Sequence, residues 1–126
     1  MATIFERYGG FASVRKVVSA FYDDVMDTPS LAQHFAGIDM RRLIEHQTLF
    51  IAYLMDGPGA GYSDEVLERV HRRLGINADE FDEMANLLVE TLEDQGFEDE
   101  DVAVIDERFR KRESIIVTAP VQQGSA

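Results

Sequence analysis

The chain has 126 residues and no cysteine, and its 24 Asp+Glu against 12 Lys+Arg give a formal net charge of −12. That length is one domain with room for a core, and the missing cysteines exclude disulfides, thiolate catalysis and Cys-ligated zinc or iron–sulfur clusters. So negative a field repels phosphate, which argues against nucleic acid and anionic membrane as partners, and no window approaches the ~18 uninterrupted apolar residues of a membrane span.

The first residues, Met-Ala-Thr-Ile-Phe-Glu-Arg, lack a basic segment followed by an apolar one, so no signal peptide is expected and the location expected is the cytoplasm. Phe11, Val14, Val18, Phe21 and Val25 then recur at helical spacing, and Asp27-Thr28-Pro29 ends the stripe. Leu43, Gln47, Phe50 and Leu54 mark a second helix, from an Asp39 N-cap to about Met55. The stretch from Asp56 to Tyr62, with Gly57-Pro58-Gly59 inside it, is the clearest breaker in the chain. Ser63 caps a short helix that carries Leu67, Val70, His71 and Leu74 on one face and stops at Gly75. Phe81, Met84, Leu88 and Leu92 mark a fourth helix, entered through Asn77 or Asp79 and closed at Gly96, and Val102, Ile105, Phe109 and Ile116 mark the last. No run alternates with period two, so the chain reads as all-α: one domain over 1–117 and a tail over 118–126 expected to be mobile.

His71 sits inside an apolar stripe, where an imidazole is either a core residue hydrogen-bonded at both nitrogens or a ligand to something buried. His46 lies at the edge of the preceding stripe, and one breaker loop separates the two helices, so both rings can face a shared space. A flat apolar ligand with a metal at its centre suits that space, and haem is the leading candidate, because imidazole is a common axial ligand and helical pockets host it. Glu68-x-x-His71 has carboxylate-bridged di-iron spacing, but the partner Glu-x-x-His is missing, since Leu31 precedes His34 and Leu43 precedes His46 at that offset.

These pieces together resemble the truncated haemoglobins, and among them group I with its cyanobacterial members. The resemblance rests on Tyr8-Gly9-Gly10, Phe21-Tyr22, Phe35-Ala36-Gly37 with Asp39-Met40, His46-Gln47 with Phe50, Gly57-Pro58, Tyr62, Val70-His71 with Leu74-Gly75-Ile76, and Phe81. It implies a two-over-two helical sandwich around a non-covalent haem b. It implies His71 as proximal iron ligand, with Tyr22 and Gln47 as distal donors; each buried donor stabilises the partial negative charge of bound dioxygen by about 1.5–3 kcal/mol. Phe35 corresponds to an aromatic wedged on the porphyrin, and Leu43, Phe50, Leu67, Ile76, Phe81 and Leu88 to pocket lining, a role for which plain core packing demands the same side chains. Tyr62, Arg41, Arg42 and Arg72 are the candidates for the propionates.

At the position of His46, cyanobacterial relatives have a histidine that binds iron from the distal side; here that role stands beside an imidazole at the haem edge bonded to a propionate. The ligands implied are dioxygen, nitric oxide and carbon monoxide, and the reaction implied is dioxygenation of nitric oxide with an unidentified reductase. The alternatives are oxygen storage or sensing without turnover, and bis-histidine electron transfer. The chain departs from the family pattern at Leu43, at Asp56 in place of a turn glycine, at Asp64, and at His34 where an aromatic is usual. Members that link a haem vinyl covalently use a histidine in the final helix, and no histidine follows His71.

Overall fold

Gly9 and Gly10 take φ of +104° and +76°, a region that only glycine enters readily, and they turn the chain from a first short helix into the first long one. The computed structural model describes residues 2–58 and 76–117, with backbone alone at 115 and 116. In it α1 spans Ile4–Arg7, α2 Phe11–Met26, α3 Pro29–Ala32, a 3₁₀ turn Gln33–Phe35, α4 Met40–Leu54, α5 Ala78–Asp94, α6 Asp99–Arg110 and α7 Glu113–Ile116. The described residues contain no strand. The tail and the helix expected to carry His71 lie outside the described residues.

Helix α2 buries Val14, Val17, Val18, Phe21, Tyr22 and Val25, one face of a 3.6-residue repeat. It packs on α4 and α5; α5 packs on α6, and α4 on α6. The pairs α2–α4 and α5–α6 therefore lie one on the other, the two-over-two arrangement. Phe81 and Phe109 stack between the second pair at 5.1 Å, and Phe50 approaches Phe109 from α4 at 6.4 Å. Each of these rings is buried, so the core runs continuously between the layers.

Caps set the boundaries. Asp39 accepts from the Arg42 N–H at the start of α4. Asn77, rather than Asp79, begins α5 in a reciprocal box: Glu80 N–H donates to Asn77 Oδ1 at 2.8 Å, and Asn77 N–H to Glu80 Oε1 at 3.0 Å. Thr3 and Glu6 make the same box around α1, an element too short to show a stripe. The structure differs from the sequence expectation at two points. Phe11 is 41 % exposed, because it opens α2 at the rim and packs edge-on to Phe5, centroids 4.8 Å apart. The final helix is interrupted after Arg110: Arg112 N–H reaches back only three residues, to Phe109 O, while its guanidinium takes the Arg108 carbonyl.

A tie fastens α1 to the far end of the chain. Arg7 donates to both oxygens of Asp101, at 2.9 and 2.7 Å. The Tyr8 hydroxyl donates to Asp101 Oδ2 at 2.6 Å and accepts from Glu98 N–H, and the Tyr8 ring stacks on Phe97 at 3.9 Å. The Arg7 hydrogen bonds, then the Tyr8 hydroxyl, hold the Asp101 carboxyl below its ordinary range against the effect of burial. Tyr8 is pushed up, by burial first and then by Asp101.

Candidate functional site

Between the two helix pairs lies a partly enclosed cavity of about 20 Å³ lined by Val18, Phe21 and Tyr22 of α2, Gln47, Phe50 and Ile51 of α4, Met84 and Leu88 of α5, and Phe109 of α6. That is room for about one water-sized or diatomic molecule. Apart from Tyr22 and Gln47 its wall is hydrocarbon, aromatic ring and thioether. Tyr22 is 5 % exposed and Gln47 6 %; both are placed inward by helix register, Tyr22 four residues after Val18 and Gln47 three before Phe50. The Tyr22 ring is held edge-on between Phe21 at 4.9 Å and Phe35 at 5.7 Å, so two aromatic contacts fix the phenol's direction.

On its other flank α4 opens into a cleft of about 200 Å³ lined by Ile38, Asp39, Arg42, Leu43, His46 and Gln47. Gln47 lines both spaces. Leu43 is half-buried and His46 exposed at the rim. The lining suits a flat, largely apolar group with anionic edges: Leu43 and Ile38 offer an apolar face, His46 an imidazole and Arg42 a guanidinium. A haem fits this donor set. His46 and Arg42 are the polar groups α4 would offer to it, and the chain's other ligand candidate, His71, lies outside the described residues.

The structure thus brings together Tyr22, Gln47, Phe50 and Leu88 around the cavity and Arg42, Leu43, His46 and Gln47 around the cleft. Phe35, Ile76 and Phe81 are buried: Phe35 against Tyr22, Phe81 against the cavity-lining Phe109. Arg41 is exposed and is not part of the cleft lining. Tyr62, Leu67, His71 and Arg72 lie outside the described residues. The cavity also uses Val18, Phe21, Ile51, Met84 and Phe109, which sequence reading assigned to no site. Ile51 had a readable signal, standing four residues after Gln47 and so on the same face of α4.

A second polar cluster stands behind Phe35. His34 Nε2 lies 2.9 Å from Glu80 Oε1, both side chains largely buried, and one turn away Ser30 donates to Glu83 at 2.9 Å. Burial alone would push the Glu80 carboxyl up, but the Asn77 N–H and then His34 hold it below its ordinary range.

Comparison with known proteins gives a consistent answer. A family model described as bacterial-like globin matches residues 3–117. The chain is similar to the group 1 truncated hemoglobin GlbN of Synechocystis sp., 29 % identical over 83 % of this chain and 87 % of that one. It is 33 % identical to the group 1 truncated hemoglobin GlbN of Mycolicibacterium paratuberculosis, over 82 % of this chain and 76 % of the relative. Among solved structures it is similar to the 2/2 hemoglobin of Synechococcus sp. PCC 7002, in the cyanomet state with covalently attached heme, at a TM-score of 0.76 and 25 % identity, covering 91 % of this chain and 98 % of that one.

Proposed function

This chain belongs to the bacterial-like globin family and, within it, to the group 1 truncated haemoglobins, and from that membership we propose that it consumes nitric oxide by dioxygenation. The family makes it a haem protein that binds diatomic ligands. Our reading adds that the haem is a non-covalent haem b, held by His71 from the proximal side. The absence of any histidine after His71 supports the non-covalent form, in contrast to the Synechococcus structure.

When bound, the haem supplies an iron centre that takes up dioxygen, nitric oxide and carbon monoxide and, with a reductase to restore the ferrous state, turns nitric oxide and dioxygen into nitrate. The work of this chain's residues is more specific. Tyr22 and Gln47 offer hydrogen bonds to negative charge that develops on a ligand, from a largely apolar wall where such bonds are stronger than in water. Phe35 and Phe21 keep the phenol aimed. Arg42, with Tyr62, Arg72 and Arg41 as further candidates, would pair with the propionates. The supporting observation is the cavity itself: it is of diatomic size, and Tyr22 and Gln47 supply its polar side chains. Tyr22→Phe in the haem-reconstituted protein should raise the oxygen dissociation rate about tenfold or more, the loss of one charge-assisted bond, and slow nitric oxide consumption. Rates equal to wild type would overturn the role of Tyr22.

A second reading has His46 as a sixth iron ligand in a redox protein, and what favours it is the place of His46 in the cleft beside Leu43 and Gln47. Ferric absorption spectra of wild type and His46→Leu decide this. Low-spin bands that turn high-spin in the variant are expected on this reading, in which dioxygen must displace an internal ligand and its apparent affinity falls accordingly. High-spin bands in both leave His46 at the haem edge.

A further inference from the structure

We propose that the outer face of α2 is a self-association surface, on which a second copy of this chain packs antiparallel about Ser19. This face is turned away from the cavity, so the pairing stands apart from the roles of Tyr22 and the iron.

Helix α2 has two unlike faces. Val14, Val18, Phe21, Tyr22 and Val25 are buried in the core. On the other side Ala12, Lys16, Ser19, Asp23 and Met26 follow one another at intervals of four and three residues, and so share one line along the helix. Ser19 is half-buried and the other four are exposed; Met26, at 42 %, is a large apolar side chain left in water. Ala12, Arg15, Lys16, Ser19, Ala20 and Asp23 line a shallow groove of about 410 Å³, and none of them lines the cavity.

Charge says what fits this groove. Arg7, Arg108, Arg110 and Lys111 each have a carboxylate oxygen at 3.3 Å or closer. Arg15, Lys16 and Asp23 have no such partner among the described residues. Within one copy the two cations stand eight and seven residues before Asp23, about 10–12 Å along the helix and too far to pair with it. A second α2 laid antiparallel, with a two-fold axis at Ser19, sets position 15 of one copy opposite position 23 of the other. Arg15 and Lys16 then meet Asp23 at both ends of the contact, and Met26 comes over Ala12, whose short side chain leaves room for it. A parallel alignment would set like charge against like. The charges thus select the antiparallel pairing, the one that a two-fold axis across the helix generates. At the centre Ser19 and Ala20 are short enough for the helices to approach closely. Asp24 and Asp27 extend the acidic end of the face.

Each copy carries a net charge of −12, so two copies repel one another at long range. Salt shortens the reach of that repulsion from about 30 Å at 0.01 M to about 8 Å at 0.15 M, and the pairing should therefore strengthen over this interval. One helix face makes a small interface, hence a weak one.

Sedimentation equilibrium of the haem-loaded chain, from about 10 µM to about 1 mM, tests this. At 0.15 M salt wild type should form a reversible dimer within that range. Arg15→Glu combined with Lys16→Glu should weaken it at least about tenfold, and so should Asp23→Lys. Mixed in equal amounts, these two variants should pair with each other as well as wild type pairs with itself, because every contact again joins opposite charges; chains that had failed to fold could not do this. Ser19→Cys places the chain's one thiol at the axis, within disulfide reach of its own copy. It should cross-link under mild oxidation, whereas Glu90→Cys, exposed on α5, should not. A wild-type monomer at about 1 mM would overturn the proposal. So would a dimer indifferent to the charge reversals, a mixture that does not pair, or equal cross-linking of the two cysteine variants.

Discussion

Asp101 and Glu80 stand in the first turns of α6 and α5 and do comparable mechanical work with different cations. Each is a shielded carboxylate that fastens the start of a helix to an earlier segment, and each carries negative charge at the end of a helix that favours it. Asp101 is gripped by Arg7 through two parallel hydrogen bonds and by the Tyr8 hydroxyl; Glu80 is met by a single imidazole nitrogen and a backbone N–H. Arginine keeps its charge at every pH a protein meets, whereas histidine does not. The first tie is a permanent fastening, and none of its residues lines the cavity. The second rests on one imidazole, next in sequence to the Phe35 ring that packs on Tyr22.

The comparison can be broken from either side. Asp101→Asn should have the larger effect, a loss of about 1–3 kcal/mol, because it weakens three hydrogen bonds and leaves the shielded Tyr8 hydroxyl poorly satisfied. Chemical denaturation at neutral pH measures it. The same variant should flatten the acid limb of stability. The Asp101 carboxyl is held below its ordinary value in the folded state, so its contribution is present above the unfolded value of about 4 and is lost as pH falls through the folded one. An acid limb identical to that of wild type would mean that Asp101 is not differentially charged on folding. Glu80→Gln should be milder in stability, below about 1 kcal/mol at neutral pH, because the cap geometry survives and one ion pair is lost. If Glu80→Gln proved the more damaging of the two, the ranking of the ties would be reversed.

Much of the fold was legible in the sequence, for a physical reason. Helices α2, α4, α5 and α6 are long enough to show a full apolar stripe, and Asp39 and Asn77 announce two of their starts by cap chemistry. Helices α1 and α3 have four residues each, too few for periodicity, although Thr3-x-x-Glu6 carries a capping-box signature. The site was legible in part. Tyr22, Gln47, Phe50 and Leu88 do meet around one cavity, because inward register on a helix is a property of the sequence alone. Arg41 and Arg42 were inseparable as a pair: consecutive residues point about 100° apart on a helix, and only the position of the cleft, a tertiary fact, selects Arg42. Met84 and Phe109 looked like core because lining a small cavity and filling a core ask for the same side chains. The His34–Glu80 pair, 46 residues apart in the sequence, is a contact that no local pattern announces.

The tie at Asp101 also constrains the order in which the chain can be assembled. Arg7 and Tyr8 meet their partner across 94 and 93 residues, and the entropy of closing so long a loop delays such contacts until nearer ones have formed. During synthesis α1 emerges before the other described helices, and its nearer anchor is the hydrogen bond from Phe5 N–H to Met55 O. It can rest on the end of α4 long before Asp101 has been made. Of the described helices, the first to be made is thus the last to be secured, after those that line the cavity.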